Sequence, residues 1–162
     1  MRKGYTLIEI LVGLTIISLL FSFGYVSFRD FSRRQVLSGT LKQLQGDLRL
    51  AQSSASAGQK PDDISCDSPN TLDSYDFKVY SASEYKIEVS CTNGSAITST
   101  VNKDVTLSPD ISISIPSPNP VKFKILGQGT NVPAGAGVNV VLTQSGTNDQ
   151  ATITITSGGE IK

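Results

Sequence analysis

From Tyr5 to Phe28 the chain is almost unbroken in its apolarity. The run YTLIEILVGLTIISLLFSFGYVSF holds 24 residues and one charge, Glu9. As a helix it spans roughly 36 Å at about 1.5 Å per residue, enough to cross a bilayer core of about 30 Å. Leu, Ile and Phe dominate it, and Gly13 and Gly24 weaken the helix. From Arg29 to Ala57 the pattern becomes one-sided. Leu37, Leu41, Leu44, Leu48, Ala51 and Ala55 recur at spacings of 4, 3, 4, 3 and 4, which is one face of a helix. Arg33, Arg34, Lys42, Gln45, Arg49 and Gln52 fall largely elsewhere, as a solvated surface. Gly58 followed by Pro61 is a stop signal. The pattern therefore predicts one helix from about 5 to about 57, apolar all round in its first half and on one face in its second.

Beyond residue 60 the period falls from 3.6 to 2. Glu84–Cys91, Ile111–Ile115, Val121–Ile125 and Ala151–Ile155 alternate polar with apolar, and Gly137–Leu142 and Asp76–Tyr80 read as further strands. Turns fall at Asn93-Gly94, Pro109-Asp110, Ser117–Pro120, 127–137 and 146–149. Alternation means one-sided burial, hence antiparallel sheets with a solvated face. No strand–helix–strand order is visible, which argues against a Rossmann-like fold. The predicted fold class is α+β. A long N-terminal helix, in a membrane-spanning half and an amphipathic half, packs on a C-terminal head of two antiparallel sheets or a small sandwich. The helical heptad gives way to strands after about three repeats, so its apolar stripe is expected to dock on a sheet rather than on a coiled-coil partner.

Composition narrows the chemistry. The chain has 162 residues, 14 basic and 14 acidic side chains, no His and two Cys. Without His there is no Ser-His-Asp or Cys-His catalysis and no His-ligated metal. Two thiols are too few for an all-thiolate zinc site or a four-thiolate iron–sulfur cluster. No cofactor is expected, and the balance favours structure or binding over catalysis.

The N-terminal run has three readings: a membrane anchor, a cleaved secretory signal, or a processed anchor. Arg2 and Lys3 precede it, consistent with a cytoplasmic start, but Arg29, Arg33 and Arg34 follow it. Ser22-Phe23-Gly24 places small residues as a secretory cut near Gly24 would need. Against that cut, Glu9 interrupts the apolar region, and Tyr25, Val26 and Phe28 continue it beyond the site. A carboxylate inside a membrane segment costs several kcal/mol without a partner, so Glu9 is a functional residue by default.

The opening Met1-Arg2-Lys3-Gly4-Tyr5-Thr6-Leu7-Ile8-Glu9-Ile10 resembles the prepilin signal of the type IV pilin superfamily. The resemblance implies a leader of residues 1–4, cut by a prepilin peptidase between Gly4 and Tyr5, and N-methylation of the new Tyr5 terminus. Glu9 becomes the fifth mature residue, whose carboxylate pairs in that family with the terminal ammonium of a neighbouring subunit and sets its register. Many relatives carry a Pro where this chain has Val26; Gly24 would supply the local looseness instead. The implied divisions are a leader (1–4), a transmembrane and polymerisation helix (5–28), an amphipathic helix (29–58) and a β-rich head (59–162).

The remainder resembles the GspH/FimT-type minor pseudopilins. Leu48-Arg49-Leu50-Ala51-Gln52-Ser53-Ser54-Ala55 fits their helix end, and Val121–Gly127 and Ile153–Ile161 match two C-terminal strand motifs. Some of those proteins bind DNA through a basic C-terminal motif, but this chain has Gly159-Glu160-Ile161-Lys162 there. Residues 29–162 carry 12 basic and 13 acidic side chains, so nucleic acid is not an expected partner. If the head is exported as the resemblance implies, Cys66 and Cys91 can pair; the alternative is two buried thiols. Asp62, Asp63, Asp67, Asp73 and Asp76 read as an acidic, solvated loop, since they lack the spacing of a calcium loop.

Together the resemblance implies a non-enzymatic minor pilin or pseudopilin of a type IV pilus or a type II secretion system. It would be held in the bacterial inner membrane with its head outside the cytoplasm, and then move into the fibre. Its expected partners are other pilins, the prepilin peptidase, membrane lipid, and the assembly platform with its ATPase. The alternatives are a DNA-uptake or adhesion subunit, and a secreted β-domain released near Gly24.

Overall fold

The computed structural model describes residues 4–63, 66–94 and 97–162, with the backbone alone over 22–27. A single helix, α1 (Leu7–Ala57), carries the N-terminal third. It ends where Gly58 turns left-handed, at φ 64°. Gly58 N–H then donates to Ala55 O and Gln59 N–H to Ser54 O, at 3.1 and 3.0 Å. This Schellman closure satisfies carbonyls that the helix end would otherwise leave open.

Among the described residues seven strands follow: β1 (Thr71–Ser81), β2 (Glu84–Thr92), β3 (Ile97–Thr106), β4 (Ile111–Ile113), β5 (Val121–Lys124), β6 (Gly137–Gln144) and β7 (Gln150–Thr156). They form two antiparallel sheets, ordered β3-β2-β1-β5 and β4-β6-β7. The outer edge of β7 is covered by the C-terminal segment, where Ile155 bridges Ile161. That of β5 is covered by the bridge from Phe123 to Thr130. Covered edges leave fewer open backbone groups for unwanted pairing.

The core lies between the second half of α1 and the inner faces of both sheets. Leu37, Leu44, Leu48, Ala51 and Ala55 are buried, and Leu41 is packed at the margin. The predicted stripe is therefore the docking face. Full burial of Leu44 and Leu48 contributes about 1.5–3 kcal/mol each. Opposite them stand Tyr75, Phe77 and Val79 of β1, Tyr85, Ile87 and Val89 of β2, and Val140, Leu142, Ile153 and Ile155 of the second sheet.

Two sequence expectations change, and one buried charge is added. Strand β3 follows the Asn93-Gly94 turn but was not expected, because its exposed edge position shows no apolar alternation. Asp73 and Asp76 belong to β1 rather than to an acidic loop, and Asp76 is 3 % exposed. Its carboxylate accepts hydrogen bonds from Ser74 and Ser90 at 2.6 and 2.8 Å and lies 3.6 Å from Lys122 Nζ. Asp47, on the docking face of α1, is buried as well.

Candidate functional site at the N-terminus

Gly4, Tyr5 and Thr6 precede the helix in non-helical backbone, and all three are exposed. Thr6 is the N-cap, extended at φ −82° and ψ 150°, and its side chain makes no capping bond. Its carbonyl accepts the first helical bonds, from Glu9 N–H at 3.1 Å and Ile10 N–H at 3.3 Å. Glu9 thus sits in the first turn, where the positive end of the helix dipole favours a carboxylate. Tyr5, Glu9 and Ile10 line one open hollow. The aromatic residue and the carboxylate thus border the same surface.

A Cβ on Gly4 would meet nothing within 4 Å. Among the described residues nothing packs against Gly4 closely enough to require glycine, so a requirement for it would come from whatever reads the segment. Arg2 and Lys3, the charged part of the expected leader, lie outside the described residues, as do the side chains of Ser22-Phe23-Gly24. The helix backbone is continuous across 22–24, whereas Gly4 and Tyr5 lie ahead of the helix, exposed and in non-helical backbone.

From Leu7 to Phe21 the large apolar side chains of α1 are open to solvent, with Leu7 at 81 % and Phe21 at 75 % exposure. Thr15 and Ser18 turn their hydroxyls onto Val12 O and Leu14 O, both at 2.8 Å, which hides the polar atoms of that surface. A patch of this size marks an interaction site. Among the described residues no helix is long and apolar enough to cross a membrane; Leu7–Phe21 alone spans about 22 Å.

The head is fastened to α1 at two levels, and a disulfide within the head ties the loop that follows α1 to β2. At its foot, Arg33 donates to Gly146 O at 3.4 Å, and Arg34 lies 3.1 Å from Asp149 Oδ2. In the middle, Asp47 accepts from Tyr85 OH at 2.8 Å and from Lys103 Nζ at 2.6 Å. Burial, and after it the Asp47 carboxylate, push the Tyr85 phenol above its ordinary value. At the far end, Cys66 and Cys91 are joined in a disulfide with a Cα–Cα distance of 5.3 Å, and both are buried. Lys60 Nζ secures the adjoining loop by donating to Cys66 O and Asn70 O. None of the ties through Arg33, Arg34 or Asp47 was foreseen. For Asp47 a signal existed: it stands three residues after Leu44 and four before Ala51, on the apolar stripe.

On the outer face of the first sheet, Glu88 accepts from Tyr80 OH, and Lys78 and Lys86 lie 4.5 and 5.1 Å from the centre of the Tyr80 ring. Lys86 also bridges Glu84 and Asp104, which hold its ammonium above the usual range, Asp104 more strongly. Among the described residues no group of three or more Cys, Asp or Glu side chains could hold a metal ion.

A family described as "Prokaryotic N-terminal methylation motif" matches residues 1–25. No curated protein and no solved structure matches the chain. The chain therefore carries a prepilin-type processing signal like that of type IV pilins, followed by an α+β body. Such a signal implies processing by a prepilin peptidase, membrane anchoring, and assembly with other pilins.

Proposed function

We propose that the chain is a structural subunit, a minor pilin or pseudopilin of the GspH/FimT type, of a type IV pilus or a type II secretion pseudopilus. The observation that carries this reading is the coincidence at one helix end of an exposed, non-helical Gly4-Tyr5, an exposed Glu9 and a long exposed apolar face, within the matched signal. Residues 5–28 anchor the precursor in the inner membrane as a single pass, with the head outside the cytoplasm. The peptidase cuts after Gly4, and Tyr5 becomes the methylated terminus. In the fibre, the Glu9 carboxylate pairs with the terminal ammonium of a neighbouring copy. Each charge is costly in hydrocarbon, so the pair is favoured only in one axial register. The subunit catalyses nothing; a separate ATPase and platform drive assembly. The neutral terminal hairpin, with Glu160 paired to Lys162 at 3.1 Å, offers no phosphate-binding patch.

Terminal mass spectrometry of the membrane form tests this reading. The expected product starts at methylated Tyr5. A product starting at Tyr25 would identify a secreted domain and sink the proposal.

A further inference from the structure

Resting on the membrane reading above, we infer that the foot of the head carries a phospholipid headgroup site, selective for a primary-ammonium headgroup. An open hollow of about 290 Å³ lies between α1 and the loop joining β3 to β4. It is lined by Phe28, Arg29, Ser32, Arg33 and Asp110. The side chains come from two elements held together. Ser145 N–H donates to Asp110 O at 2.9 Å, and the adjacent Gly146 O receives Arg33.

The level of the hollow sets the class of ligand. Counted from Tyr5, the apolar run ends at Phe28 after roughly 36 Å of helix, slightly more than a bilayer core of about 30 Å. Arg29 therefore falls at the headgroup layer. Phe28 and Phe31 are 70 % and 66 % exposed beside it, as rings that would border the acyl region.

Charge sets the headgroup. Two guanidinium groups suit a phosphate, which they can grip with paired N–H donors. Arg33 is only loosely engaged, 3.9 Å from Asp30 and 3.4 Å from Gly146 O, and a guanidinium has five donors to share. Asp110 would repel a purely anionic headgroup, but it suits an ammonium displaced from the phosphate by a short linker. A primary ammonium donates hydrogen bonds to that carboxylate and a quaternary one does not, so phosphatidylethanolamine is preferred to phosphatidylcholine. The lipid would hold the waiting subunit at a fixed depth and tilt, with the head seated on the membrane, until fibre contacts replace it.

The processed full-length chain would be placed in phosphatidylcholine nanodiscs doped equally with phosphatidylethanolamine and phosphatidylglycerol. Native mass spectrometry would then read the lipids that stay bound. Phosphatidylethanolamine should be retained roughly five-fold over phosphatidylcholine, about 1 kcal/mol. Arg29→Gln, which leaves the Arg33–Gly146 contact in place, should lower retention of all three lipids. Asp110→Asn should remove the preference for phosphatidylethanolamine while phosphate-dependent retention persists. Lys42→Gln with Arg49→Gln, the same kind of change higher on α1, should alter nothing. Equal retention of the three lipids by the unaltered chain would overturn the proposal, as would a preference for phosphatidylglycerol or an equal loss in the Lys42/Arg49 control. Millimolar inorganic phosphate should not displace the lipid; displacement would mark a free-phosphate site instead. A chain that failed to enter nanodiscs would defeat the membrane reading, and this site with it. Entry without lipid preference would defeat the site alone.

Discussion

The carboxylate of Asp47 and the phenol of Tyr85 meet inside the core, 2.8 Å apart, and join α1 to β2. Asp47 is 7 % exposed and Tyr85 1 %. A buried carboxylate is tolerable only if its oxygens find donors, and here Tyr85 takes one and Lys103 the other. Breaking the arrangement from the Tyr85 side leaves the buried Asp47 Oδ2 without its donor, although Lys103 still holds Oδ1. Tyr85→Phe should cost about 1–3 kcal/mol, read as a lower midpoint in chemical denaturation of the detergent-solubilised chain. An unchanged midpoint would show that water replaces the phenol.

The same pair sets an alkaline limit. The folded chain holds the Tyr85 proton more tightly than the unfolded chain, whose phenol titrates near 10.0. This contribution to stability is complete below pH 10 and is lost as pH rises beyond it, by up to about 1.4 kcal/mol per pH unit. Tyr85→Phe should flatten the fall between pH 10 and 11. Equal slopes in both proteins would assign the alkaline loss to other groups, such as Lys86.

The Cys66–Cys91 bond closes a separation of 25 residues. Chain entropy alone assigns it roughly 3.5 kcal/mol. Both sulfurs are buried, so a mild reductant should leave the folded head intact while unfolded protein is reduced rapidly. Cys66→Ser with Cys91→Ser should lower the thermal midpoint markedly. Rapid reduction of the folded form would show that the loop from 59 to 70 opens easily.

Two glycines should differ in their tolerance of alanine. At Gly129, with φ 79°, a Cβ would lie 2.5 Å from the backbone oxygen of Ser157. Gly129→Ala should cost about 2 kcal/mol or more, from strain and collision together. At Gly146 the Cβ would meet only the end of the Arg33 side chain, which can swing away. Gly146→Ala should stay within about 0.5 kcal/mol in the same melting experiment.

Glu9 is exposed and touches none of the described residues of the head, so Glu9→Ala should leave the melting transition of the head unchanged and still permit processing at Gly4. Incorporation into fibres, measured by quantifying the subunit in sheared filaments, should fall several-fold. Normal incorporation would remove Glu9 from the register role.

The sequence by itself determined the elements whose environment is uniform along their length. An all-apolar helix, a one-sided helix and half-buried strands each impress their own period on the chain, so α1 and six of the seven strands could be read directly. The N-terminal signal was legible for the same reason: Gly4, Tyr5 and Glu9 lie close together and act as contiguous chain. Only the tertiary structure decided what depends on distant partners. Strand β3 is held by hydrogen bonds to β2 while most of its side chains face water, and water imposes no alternation. Asp76 reads as part of a solvated loop because two of the groups that make its burial tolerable, Ser90 and Lys122, come from other strands, and the donors to Asp47 lie up to 56 residues away in the case of Lys103. The seating of the head at Arg33 and Arg34 rests on a turn 113 residues further along the chain from Arg33. Local periodicity records how much of a residue is buried, but the identity of a long-range partner is set only when the chain has folded.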